Sequence, residues 1–139
     1  MTDAVISIKG IQGGPEGDQD VVELVTDGKY RWDRQGAFVS YFESEVTGLQ
    51  GTETSVLIKS NSITLKRQGV VNTEMVFRPG EKTKFLFDTQ FGSATLGVDT
   101  RKINADFDSE GGEMVIDYVV NMDHAVVGRN KIYLSVKKQ

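Results

Sequence analysis

Apolar and polar residues alternate with a period of two along nearly the whole chain, and turn-forming residues interrupt that alternation at short intervals. A helix would bring residues three and four apart onto one face, whereas a strand sends successive side chains to opposite faces. No stretch holds a helical period for more than a turn or two. The segment 63–68 shows the pattern plainly: Ile63, Leu65 and Arg67 share one parity, Thr64, Lys66 and Gln68 the other. The same reading gives strands over 4–11, 20–27, 29–34, 37–45, 52–59, 70–77, 83–88, 91–103, 113–121 and 125–136. They are separated by Gly28, Gln35-Gly36, the Thr47-Gly48 and Gln50-Gly51 pairs, Ser60-Asn61-Ser62, Gly69, Pro79-Gly80 and a loop from Ser109 to Gly112. Gly92 and Gly97 fall within the 91–103 strand and are expected to mark bends or bulges. Residues 16–20, EGDQD, read as an acidic loop.

Roughly ten short strands with tight connections fit a sandwich or a barrel. Greek-key sandwiches need long crossovers, and only the loops near 12–19 and 105–112 have the length for them. An open meander of this size would also leave two unpaired edges, which closure removes. The expected fold is therefore all-β: one domain over 1–139, an antiparallel meander closed into a barrel of roughly eight to ten strands. Its 139 residues suffice to bury one core.

Composition narrows the chemistry. The chain has no cysteine and one histidine, His124. Thiolate catalysis, disulfides and thiolate metal sites are excluded, and a zinc site, which needs several N or S ligands, is not expected. The acidic segment 106–113, DFDSEGGE, lacks the closing acid of a calcium loop and reads as a solvated loop. No serine sits in a Gly-x-Ser-x-Gly turn, and Gly13-Gly14 lacks the lysine and helix of a phosphate cradle. The formal net charge of −4 argues against nonspecific nucleic-acid binding. The strand KYRWDR at 29–34 alternates Tyr30 and Trp32 with charges; both aromatics are expected in the core. No secretory or membrane-spanning segment is visible, so a cytoplasmic protein is expected, with no cofactor, no nucleic-acid or membrane partner, and a monomeric or homodimeric state.

Arg67 is the position that departs from this bland picture. It shares parity with Ile63 and Leu65, so it is expected to point inward, where a charge is costly unless paired. Glu43, on the face of Tyr41, and Asp99 are the expected partners. Three readings stand: a buried ion pair that plugs the barrel end, an arginine that binds an anion in the barrel mouth, or a frayed strand end with Arg67 in water. Thr89, Arg101 and Tyr118 are further polar residues in apolar strands and would join Tyr41, Glu43 and Asp99 if they converge at one end. The candidate ligand set is Arg67, Glu43, Tyr41, Asp99 and Tyr118, with no catalytic residue assigned.

Several runs resemble the YwiB-like family of bacterial proteins: SYFESEVTG at 40–48, TETSVLIK at 52–59, LKRQGVV at 65–71, MVFRPGE at 75–81, FDTQFGS at 87–93, VDTRKI at 98–103 and MVIDYVV at 114–120. Gly28 after Asp27, the Arg67-x-Gly69 turn and the Thr89-x-x-Gly92 turn fall where that family has them. The resemblance implies a calycin-like, lipocalin-resembling barrel in a domain of unknown function. It implies no reaction, and relatives of such barrels hold small apolar or amphiphilic ligands. The expected function is non-enzymatic binding of a small apolar or anionic ligand inside the barrel. The alternative is a solid-cored structural or interaction module acting through its outer surface.

Overall fold

The computed structural model describes every residue except 15 and 16. Of the acidic stretch 16–20, Glu16 lies outside the described residues, while Gln19 and Asp20 already belong to a strand. Ten strands follow in chain order: β1 (Thr2–Gly13), β2 (Gln19–Asp33), β3 (Gly36–Phe42), β4 (Glu53–Ile58), β5 (Ile63–Gln68), β6 (Val71–Phe77), β7 (Lys82–Thr89), β8 (Gly92–Asp108), β9 (Gly111–Met122) and β10 (Ala125–Lys138). Each pairs antiparallel with its sequence neighbours, and β1 pairs with β10 to close the barrel. The meander expected from the period and the short turns is thus observed as a ring of ten strands, in which β6 and β7 share only the Val71–Thr89 and Asn72–Asp88 pairs.

Boundaries differ from the sequence reading in instructive ways. β2 runs unbroken through Gly28 instead of splitting there. A Cβ at Gly28 would lie 2.4 Å from the Ser40 carbonyl oxygen and 2.1 Å from Ile6 Cδ1, so the glycine permits a close strand approach, not a turn. β8 extends to Asp108, and a two-residue turn at 109–110 stands where the loop from Ser109 to Gly112 was expected. Register through Gly97 is unbroken, and the irregularity in β8 falls at Arg101, where residues 100 to 102 oppose only Tyr118 and Asp117. After that bulge the inward parity switches, so that Val98 and Thr100 are buried before it while Ile103 and Phe107 pack on the core after it.

The core is unevenly filled. Phe77, Ile63, Ile116, Met114 and Ile6 are almost wholly buried and pack the end of the barrel that carries the chain termini and the turns at 34–35, 59–62, 78–81 and 109–110. Tyr30 joins them, with its hydroxyl donating to the Asp108 carbonyl at 2.6 Å. Burial pushes that phenol up to about 12, with the Asp108 carboxylate adding to the shift. Trp32, two residues on, is 49% exposed at the strand end, contrary to the expected core role. β2 outruns the packed core there, so parity no longer implies burial.

Candidate functional site

The opposite end of the barrel is open. A cavity of about 260 Å³ enters between the strand ends there, under the loop 43–52. Its apolar wall includes Ile8, Leu24, Leu65 and Phe87; its polar groups include Arg67, Glu43, Tyr41, Tyr118 and Asn130.

Cross-strand register explains why these polar groups meet. Tyr41 pairs with Thr54, Thr54 with Arg67, and Arg67 with Thr73, which puts a polar row on the inner face across β3, β4, β5 and β6. A second row crosses β8, β9 and β10, where Tyr118 pairs with both Thr100 and Asn130. The loop after β3 then folds back. Its Glu43 amide donates to the Thr52 carbonyl at 2.8 Å, and Thr52 Oγ1 accepts the Val70 amide at 3.2 Å. Gly69, at φ +153°, makes that contact possible: a Cβ there would meet the Gly51 carbonyl oxygen at 2.3 Å. β3 therefore ends at Phe42, short of the expected residue 45, and Glu43 is carried into the cavity by the loop.

Glu43 is buried, and its Oε1 accepts a hydrogen bond from Thr54 Oγ1 at 2.9 Å. Arg67 points inward as its parity requires, but it forms no ion pair. The ion pairs among the described residues are Lys9–Glu23, Lys29–Asp3, Arg31–Asp33 and Arg101–Asp99. Arg67 Nε is buried without a hydrogen-bond partner. The Oγ1 atoms of Thr73 and Thr100 are the other buried side-chain atoms in that condition among the described residues, and each sits on one of the two polar rows. Buried polar atoms are satisfied in the great majority of cases, so the orphaned Nε of Arg67, the one of the three that belongs to a cavity-lining residue, marks this end of the barrel as unusual.

The two tyrosines are held as neutral donors. Burial pushes the Tyr41 phenol far above its ordinary range, and the neighbouring Glu43 carboxylate adds to the shift against the opposing influence of Arg67. Tyr118 is pushed up by burial too, with Asn130 and Arg67 acting against it. Its ring is fixed by an edge contact with Phe77, centroids 4.9 Å apart.

Four of the five expected site residues thus line one cavity: Arg67, Glu43, Tyr41 and Tyr118. Asp99 does not join them. It lies on the outer face, paired with Arg101 at 3.3 Å, because Val98 and Thr100 on either side of it take the inward positions. Thr89 also stays outside the set; its hydroxyl donates to the Gly92 carbonyl at 3.0 Å within the β7–β8 turn. Thr54, Thr73 and Asn130 escaped the sequence reading, although each shares parity with apolar neighbours, as Thr54 does with Val56 and Ile58.

Fold and cavity together define a closed ten-stranded up-and-down β-barrel with a polar cavity at one mouth. The chain belongs to the family described as a domain of unknown function, DUF1934, whose model matches residues 6–134. It is similar to the uncharacterized beta-barrel protein YwiB of Bacillus subtilis (strain 168), with 29% identity over 103 residues, 74% of this chain and 71% of that one. The crystal structure of the ywiB protein from Bacillus subtilis shares the fold: TM-score 0.87 at 23% identity, covering 99% of this chain and 92% of that one. No helix of the described residues is long and apolar enough to cross a membrane.

Proposed function

We propose that the protein binds, without chemical conversion, a small amphiphilic monoanion in the barrel mouth. Arg67 takes the anionic head and the apolar wall takes the tail. The observation that carries this reading is the buried, unpartnered Nε of Arg67 in a cavity that has room for a ligand. A guanidinium in that position is satisfied by an oxyanion at far less cost than by nothing. Tyr41 and Tyr118, held protonated, offer donors to the same head group. The buried Glu43 carboxylate disfavours a second negative charge, which selects a monoanion over a dianion.

Volume sets the ligand's size. A dry cavity of about 150 Å³ holds benzene, so 260 Å³ fits about ten non-hydrogen atoms, the size of octanoate. Octanoate at about one hundred times its dissociation constant would stabilise the native state by about 2.7 kcal/mol. For a domain of this length that corresponds to a melting point higher by roughly 8 °C. Differential scanning fluorimetry with straight-chain carboxylates reads it directly. No shift with any chain length from hexanoate to decanoate would end the proposal.

Exposed apolar side chains favour a second reading, self-association through this end of the barrel. Phe91 is 92% exposed at the β7–β8 turn, and Phe42 and Val46 are also exposed at the mouth. Light scattering on the wild type and on Phe91→Lys separates a dimer from a monomer.

A further inference from the structure

The outer face of β7 to β10 carries a feature that the mouth cavity leaves unused. Outward residues of the four strands line a concavity of about 570 Å³, more than twice the volume of the mouth cavity. Its floor is Gly97 and Val119. Val119 points away from the barrel interior, as its register beside Tyr118 requires, and is nevertheless only 4% exposed. A convex barrel surface would leave such a valine open, so its burial reports walls on both sides.

Those walls are basic. Lys82 and Lys84 stand on β7, Arg101 on β8 and Arg129 on β10, against the carboxylates of Asp99 and Asp123. In a chain with a net charge of −4, this is a local inversion of sign. Register fixes the layout: Lys82, Asp99, Val119 and Arg129 form one transverse row, and Lys84, Gly97 and Asn121 the next. Three strand spacings separate the lysine wall from Arg129, about 14 Å between backbones, a gap that long side chains on both walls can narrow over a floor with little bulk.

Two independent irregularities of the backbone converge on the same place. The extra residue of the β8 bulge is Arg101 itself, and the extra residue of the β10 bulge is Val127, two before Arg129. Bulges re-aim side chains and gather at functional sites. The hairpin turn that closes the concavity is built from Asp123 and His124 at φ 51° and 69°, the non-glycine residues in the left-handed region among those described. Both values are those of a two-residue type I′ hairpin turn, in which Asp and His are among the better tolerated non-glycine residues, so the turn fixes the rim without marking strain. Asp99 holds Arg101 in place at 3.3 Å.

We propose that this concavity is a second binding site, for the compact multivalent anion of a small phosphorylated molecule. Cations on opposite walls suit a group that offers oxygens in several directions, as a diphosphate does. A long nucleic acid fits less well, because its remaining phosphates would lie against an acidic surface. The site is separate from the mouth cavity and stands or falls without it.

Calorimetric titration with inorganic diphosphate at low ionic strength tests the proposal. The wild type is expected to bind saturably. The double variant Lys84→Gln, Arg129→Gln is expected to bind roughly tenfold more weakly with an unchanged melting point. Lys66→Gln, an exposed lysine on β5, and Arg67→Met in the mouth are expected to bind as the wild type does. Absence of saturable heat at millimolar diphosphate overturns the proposal. An equal loss in Lys66→Gln, which would mean diffuse charge attraction, overturns it, and so does a loss in Arg67→Met, which would put the anion in the mouth.

Discussion

A threonine hydroxyl holds the buried Glu43 carboxylate in the mouth cavity by a hydrogen bond. Thr54 Oγ1 is the hydrogen-bond donor to Glu43 Oε1, and neither residue is more than a few per cent exposed. Thr54→Val keeps the shape and removes the donor, so it should destabilise the barrel by about 1–3 kcal/mol. Thr54→Ser, which keeps the hydroxyl, should recover most of that loss in urea denaturation. At this scale the sequence was informative about direction and silent about partners. The parity of Arg67 with Ile63 and Leu65 foretold an inward guanidinium, and it is inward. The expected carboxylates were another matter. Glu43 reaches the cavity only because the 43–52 loop folds back onto the β5–β6 turn, and Asp99 faces outward against Arg101. Which side chains meet across strands depends on register, and register is a long-range property that one strand's alternation does not encode.

Strands and turns show the same division. Period-two alternation marked every one of the ten strands, though it divided β2 into two segments at Gly28, because each strand has one face against the core and one toward water. Glycines were the ambiguous signal. Gly69 and Gly36 sit at turns with positive φ, as expected, whereas Gly28 sits inside a continuous strand where a neighbour's backbone comes too close for a side chain. Gly28→Ala therefore tests packing and not turn geometry. The Ile6 side chain can move away from the new Cβ, but the Ser40 carbonyl belongs to the adjoining ladder and cannot. A loss of about 1–3 kcal/mol in stability is expected from that overpacking, while Gly10→Ala, in β1 with nothing within 4 Å of the added Cβ and no positive φ, should lose less. The bulge at Arg101 left no mark in the sequence, since neither a glycine nor a proline occupies it. It reverses which residues of β8 face inward, and the strand expected to end at 103 continues past it to Asp108.

For the whole molecule, closure into a ring of ten strands gives two unlike ends. One end packs Phe77, Ile63, Ile116 and Met114 beneath a surface depression beside the 59–62 turn; the other holds a cavity whose arginine has a buried Nε without a hydrogen-bond partner among the described residues. That contrast is the basis of the proposed function, because a plug and a binding site make opposite demands on Arg67. A plugging arginine is half of a buried pair, and removing it strands the other half, at a cost of about 3–5 kcal/mol. A binding arginine is held ready at the expense of stability, so an apolar replacement of similar length relieves the unligated barrel. The deciding measurement is the thermal unfolding of Arg67→Met beside the wild type, each with and without octanoate. The account predicts that Arg67→Met melts no lower than the wild type and gains nothing from octanoate, while the wild type is stabilised. A variant that loses about 3–5 kcal/mol on its own, or one that octanoate stabilises as strongly as the wild type, would contradict it.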